Sequence, residues 1–383
     1  AIYWIQIISP NLFKNTEDYL LNEIITDMWS DSVNPLLYNA SLVNYHYNFF
    51  CNPTNNNIGF SCSGFNSKLN NVVKTILNTI TNYKDSFDPI KFQIIKEKLK
   101  QNLGNIRLGS PWSLVSYNLK SKWIKSFKHY EELLNKIDII TLDDVKRHYL
   151  NMFKNINVKV VTVGNLLQSD IIDVQHYFDT AYDLKEYNHL VKVSPSYGLF
   201  KFKNSNTKDE NEAIGIYYQV FNKDYDYLKV SKLYLLESIL REPFFDQLRT
   251  KEQLGYLVAS SSYSIYDSYG MIFMIQSPKQ NSKYLASRIK DFISVFTKKL
   301  EEYTEFDTQK NSLIATLSVP DKRITQLSGR IIREINEESY QYDRKSKLIK
   351  EISKLELNDI IQFYQEYIIE NKNYIEIHNQ KND

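Results

Sequence analysis

Apolar positions follow two periods along this chain, and the switches between them mark its elements. Ile2-Tyr3-Trp4-Ile5-Gln6-Ile7-Ile8 is a near-continuous apolar run and predicts a strand. From Thr16 to Trp29 the residues Leu20, Leu21, Ile24, Ile25, Met28 and Trp29 recur at helical spacing. Val43, Tyr45, Tyr47 and Phe49 then alternate with Asn44, His46 and Asn48, which predicts a strand. An Asn-rich turn, Asn52-Pro53-Thr54-Asn55-Asn56-Asn57, leads into Ile58–Gly64 and closes a hairpin. Helical segments follow to about Phe153, then a strand over Val158–Val163 and a further helix. Strands gathered apart from a run of helices predict an α+β fold with a mostly antiparallel sheet, helices covering one side.

The second half replays this order. Trp4-Ile5-Gln6-Ile7 recurs as Tyr217-Tyr218-Gln219-Val220, 213 residues later. Tyr19-Leu20-Leu21 recurs as Tyr234-Leu235-Leu236, and Leu142, Asp144, Val145 and Tyr149 match Leu357, Asp359, Ile360 and Tyr364, both at an offset of 215. Three distant matches at nearly one offset predict two homologous domains, 1–185 and 186–383. A polar stretch ending Lys208-Asp209-Glu210-Asn211-Glu212 reads as a linker region or edge hairpin.

Composition narrows the function classes. The 383 residues include 47 Lys and Arg against 45 Asp and Glu, a net charge of +2, which gives no support for nucleic-acid or membrane-surface binding. No apolar run approaches the ~20 residues of a membrane helix. Cys51 and Cys62 are too few for a disulfide scaffold or a Cys-rich zinc module; they permit a reduced compartment, and a cytoplasmic location is the expectation. Ala1 opens directly onto the first strand, so the chain is expected to be a piece of a longer one.

Catalytic motifs are scarce. The six histidines, His46, His129, His148, His176, His189 and His378, never lie within five residues of one another, so no helical zinc pair of the H-x-x-E-H kind exists. Gly59-Phe60-Ser61-Cys62-Ser63-Gly64 departs from the G-x-S-x-G elbow and sits in a hairpin strand. Neither a phosphate-binding loop nor a dinucleotide fingerprint is present.

One segment, Arg241 to Tyr256, is unusual. Pro243 suits the first position of a helix and Gly255 its left-handed stop, which predicts a helix to about Leu254 with Tyr256 entering a new strand. Phe244 and Leu248 would face the core. Phe245, Arg249 and Glu252 would line a second stripe, with Tyr256 at its end. Read from residue types, that stripe suits either a solvated helix face or a surface gripping an extended peptide through its carbonyls.

The string Leu248-Arg249-Thr250-Lys251-Glu252-Gln253-Leu254-Gly255-Tyr256, preceded by Glu242-Pro243 and followed by Gln276-Ser277, resembles the insulinase (insulysin/pitrilysin) family of zinc metallopeptidases. The similarity is strongest over 213–300 and matches the second half of the family's long-chain members. The resemblance implies two homologous halves of two α+β domains each, closing like a clamshell around a peptide chamber. This chain would be the C-terminal half, inert alone, with 1–185 the third domain and 186–383 the fourth. Zinc is expected in the N-terminal half, on an inverted H-x-x-E-H helix. The corresponding helices here, Thr16–Trp29 and about Tyr227–Leu240, contain no histidine, so no metal ligand is expected in this chain. By the same resemblance Tyr256 would be the transition-state donor, Arg249 the peptide-positioning residue and Phe245 part of the cleavage-site pocket. Implied partners are the N-terminal catalytic half and peptide substrates, with a homo-oligomer left open. The alternative is a zinc-free scaffold subunit or pseudoenzyme paired with a separate catalytic chain, as processing peptidases use.

Overall fold

The first strand shows no alternation because both of its faces are covered. All seven residues of β1 (Ile2–Ile8) are buried: Trp4 stacks on Phe50 and meets Leu327, Ile331 and Ile335, while Tyr3, Ile5 and Ile7 point to the opposite face. The computed structural model describes residues 1–186, 193–222, 225–266 and 268–382; His189 lies outside them. After β1 come α1 (Thr16–Leu42), β2 (His46–Asn52), β3 (Asn57–Ser63), α2 (Asn66–Asn82), α3 (Pro89–Ile106), α4 (Pro111–Trp123), α5 (Tyr130–Ile137), α6 (Leu142–Met152), β4 (Asn157–Val163) and α7 (Gln168–Ala181). Then β5 (Gly198–Lys203) precedes the second series: β6 (Glu212–Asn222), α8 (Tyr227–Phe245), β7 (Leu257–Ile265), β8 (Ser268–Ser277), α9 (Ser282–Glu301), α10 (Phe306–Ser318), α11 (Ile324–Asn336), α12 (Arg344–Ile352), α13 (Leu357–Tyr364) and β9 (Tyr374–Gln380).

The repeat is real and extends to single hydrogen bonds. One sheet has the order β2-β3-β1-β4, the other β7-β8-β6-β9, with β5 added to the far edge by parallel pairing with β9. Elsewhere in the two sheets neighbouring strands are antiparallel. Tyr149 of α6 donates its hydroxyl to the Ile80 carbonyl of α2, and its counterpart Tyr364 of α13 donates to Ile293 of α9 at 2.8 Å. Asp144 and Asp359 each reach back to a backbone N–H at the start of their helix, Thr141 and Glu356, at 3.0 Å.

Two boundaries differ from the sequence reading. Helix α1 is capped by the Asn15 side chain, which accepts from the Asp18 N–H at 2.8 Å. It continues past Trp29 to Leu42 because buried Val33 and Leu37 carry on the four-residue spacing from Trp29, with Pro35 accommodated inside the helix. The following strand therefore starts at His46 rather than Val43, after a left-handed Asn44 with φ of 64°.

Contacts divide the chain into two compact units that interleave along the sequence. Unit 1 comprises 1–105, 126–191 and 321–340; unit 2 comprises 106–125, 192–320 and 341–383. The sequence reading divided the chain contiguously at 185/186. The structure instead assigns α4 to unit 2 and α11 to unit 1, and these two helices are counterparts in the repeat. The helices expected on one side of each sheet are joined by this exchanged helix on the other side. In unit 2, Ile214, Ile216, Tyr218 and Val220 of β6 face the cluster formed with α8, α9 and α13. Tyr217 on the opposite face lies 4.1 Å, ring to ring, from Trp123 of α4. The Trp123 indole N–H donates to the Ser268 hydroxyl at 3.1 Å.

Candidate functional site

The segment singled out by sequence lies wholly in unit 2 and is built differently from expectation. Helix α8 buries Leu233, Leu236, Leu240 and Phe244, a helical stripe against the sheet. Pro243 does not begin a helix but sits inside the last turn of α8. The helix then widens into a π turn over Asp246–Lys251, with Leu248 buried. It ends with the Glu252 N–H donating to Gln247 O and the Leu254 N–H to Leu248 O, both at 3.0 Å. An extra residue per turn rotates every later side chain away from its α-helical position. That is why Glu252 leaves the stripe it was expected to share with Phe245 and Arg249.

The stop is also different. The left-handed residue is Gln253, with φ of 52°, not Gly255. Gly255 is required for another reason: a Cβ there would lie 1.9 Å from the Gln276 carbonyl oxygen, where the chain crosses the end of β8. Tyr256 follows immediately, one residue before β7.

Glu252 has a structural task. Arg288 of α9 grips its carboxylate in a fork, Nε to Oε2 and Nη2 to Oε1, both at 2.8 Å, and Gln247 Nε2 adds a third donor at 2.9 Å. These donors hold the Glu252 carboxyl below its ordinary pKa, Arg288 first among them. The connection 252–256 is thereby tied at Glu252 and wedged at Gly255, leaving Tyr256 as a fixed projection rather than a loose tip.

The three residues expected to act together are together. Phe245, Arg249 and Tyr256 line one open cavity of about 590 Å³, joined by Asn211, Gly255 and Lys279. The Arg249 guanidinium carbon stands 5.6 Å from the Tyr256 ring centroid, a cation–π contact. Tyr256 is 81% exposed and Phe245 46%, unusual for such large aromatics. Among the described residues Arg249 forms no ion pair and the cavity has no carboxylate in its lining, whereas Lys279 brings a second cation. Such a wall favours electron-rich oxygen. Lys279 and Asn211 were invisible to sequence reasoning, because they lie 30 residues after and 38 before Arg249 with no spacing signal.

No group of three or more His, Cys, Asp or Glu side chains among the described residues is placed to hold a metal ion. His148 is buried with Nε2 3.0 Å from Asn22 Oδ1, and His378 is buried 2.6 Å from Glu376. Cys62 is packed in the core, its thiol pushed up by burial. No helix among the described residues is long and apolar enough to cross a membrane.

Comparison with known proteins gives a consistent result. The family described as the middle or third domain of peptidase M16 matches residues 1–136. The family described as the C-terminal lobe domain 4 of PQQ synthase PqqF-like proteins matches residues 235–332. Insulin-degrading enzyme of Homo sapiens is 27% identical over 359 residues, covering 89% of this chain and 34% of that protein. A nardilysin-like protein of Arabidopsis thaliana is 22% identical over 370 residues, covering 94% and 36%. The chain thus spans about a third of the length of the curated relatives it matches. Among solved structures, pitrilysin superposes with a TM-score of 0.87 at 18% identity, covering 99% of this chain and 40% of that one. A protease from Helicobacter pylori superposes at 0.73 and 12% identity, covering all of this chain and 94% of the other.

Proposed function

The chain belongs to the insulinase (M16) family of peptidases, and from that premise we propose that it forms the C-terminal half of a zinc metalloendopeptidase, enclosing the peptide and supplying groups that act on the scissile amide. Among the described residues no cluster of donors is arranged to ligate zinc. By the family resemblance the metal would be held by the N-terminal half.

What this chain's residues do follows from the charge change in amide hydrolysis. Addition to the carbonyl carbon turns the C=O into a tetrahedral oxyanion, and a fixed donor aimed at that oxygen lowers the barrier. Tyr256, projecting from a tied connection with its ring exposed, donates its hydroxyl to the developing oxyanion. Arg249, in a cavity lined without carboxylates, donates to a neighbouring peptide carbonyl and fixes the backbone in register. Phe245 offers an exposed ring to the side chain beside the scissile bond. The observation that carries this reading is the convergence of the three on one cavity. In an enzyme reconstituted with its N-terminal half, Tyr256→Phe should lower kcat/KM by roughly 10²–10³ while metal content stays unchanged. Wild-type activity in that variant rejects the role.

A second reading, a separate zinc-free subunit pairing with a catalytic chain, is supported by the half-length neighbours. The Helicobacter pylori chain and the "peptidase M16 inactive domain" from Pseudomonas fluorescens are covered to 94% and 93% by this fold. Covalent continuity separates the two readings: an H-x-x-E-H sequence in the frame upstream of Ala1 selects the first, a start codon there the second.

A further inference from the structure

The sheet of unit 2 has two edges, and they are treated differently. Edge strand β5, Gly-Leu-Phe-Lys-Phe-Lys, carries Lys201 and Lys203, the kind of charge that discourages strand addition. Edge strand β7, Leu-Val-Ala-Ser-Ser-Ser-Tyr-Ser-Ile, has nine residues with no charge and no proline, and pairs only with β8 among the described residues. Its neighbourhood is hollow. A groove of about 920 Å³ runs between Val258–Ser262 of β7, the outer side of α8 and the face of α10 bearing Gln309, Ser312 and Leu313. Ser260 lines this groove, is 3% exposed, and its hydroxyl has no hydrogen-bond partner among the described residues. A buried orphan hydroxyl beside an unpaired strand edge points to a missing polar occupant. The groove also joins the site already described: Phe245 lines both hollows, and Tyr256 directly precedes β7.

We propose that the β7 edge is a docking strand for an extended peptide, which adds to the sheet by main-chain hydrogen bonds and so is delivered past Phe245 to Arg249 and Tyr256. The destination rests on the Proposed function; the docking itself does not. The occupant's chemistry follows from the walls. Val258–Ser262 and Ser312 offer small and hydroxyl side chains along the groove, while Glu237, Arg241 and Glu242 of α8 add charge to the facing wall. Together they suit a peptide backbone with short polar side chains rather than a bulky apolar ligand. Strand addition draws affinity from backbone groups and tolerates varied sequence.

The test is direct binding by this chain. The probe is a short fluorescein-labelled peptide of Ala, Ser, Thr and Val, unstructured in solution, followed by anisotropy and by amide hydrogen exchange. Binding should be saturable and should protect amides within 257–265. Methylating every second amide nitrogen of the peptide should weaken binding at least about tenfold, and so should Ser312→Trp, which narrows the groove from the α10 side. Docking is read by binding to this chain alone, and the catalytic reading by turnover of Tyr256→Phe in the reconstituted enzyme, so either can fail without the other. Equal binding of the methylated peptide, or protection that spares β7, overturns the proposal. Concentration-dependent dimerisation that protects 257–265 without peptide overturns it too, by assigning the edge to a second copy of the chain.

Discussion

Single residues in this protein are constrained by what touches them across long sequence distances. Gly255 is the clearest case, since nothing local demands it and the carbonyl of Gln276 does. Gly255→Ala should destabilise unit 2 by about 1–3 kcal/mol through overpacking against backbone. In the reconstituted enzyme it should reduce activity as well, because Tyr256 is the next residue; denaturant unfolding and kcat/KM check the pair. In unit 1, burial raises the Glu23 carboxyl to about 7, beside a Cys51 thiol that burial raises as well. A carboxyl whose folded pKa lies above its unfolded one binds its proton more tightly in the folded state. Its stability contribution is complete below about pH 4.5 and is lost as pH rises through about 7. Glu23→Gln should therefore stabilise the protein by about 1–3 kcal/mol at pH 8 and change little at pH 4.5, as read by melts at both pH values.

Among the elements, the join between α8 and β7 carries the site, and its rigidity comes from the Arg288–Glu252 fork. Glu252→Gln removes the charge without changing the shape. It should leave the fold intact, lower kcat/KM of the reconstituted enzyme by about tenfold through a misplaced Tyr256, and raise exchange of the amides in 252–256. The same ion pair sets an acid limit. A carboxyl depressed below its ordinary 4.5 contributes stability above that pH and loses it as pH falls through the lower folded value. The connection should thus loosen only in acid, and the Gln variant should show no such pH step. Sequence periodicity placed Phe244 and Leu248 in the core, where they are buried. It missed the π turn, because one inserted residue leaves both flanking apolar patterns intact and shifts only their phase.

For the molecule as a whole, the reciprocal placement of α4 and α11 ties each unit to both halves of the sequence. Trp123, numbered within the first half, is buried against Tyr217 in unit 2. Trp123→Ala should cost about 3–5 kcal/mol and expose the amides of β6 and β8 to exchange while those of β1 and β3 keep their protection. The twofold repeat, the α+β class and the Leu248–Tyr256 string could all be read from the chain. They depend on periodicity and on residue types close in sequence, and those survive any later rearrangement. Which helix covers which sheet, why position 255 must be glycine, and which lysine joins Arg249 depended on folding. Each is a contact between segments tens to hundreds of residues apart, and no local pattern encodes the partner. A run such as Ile2–Ile8 declares that both its faces are buried; it is silent about what buries them.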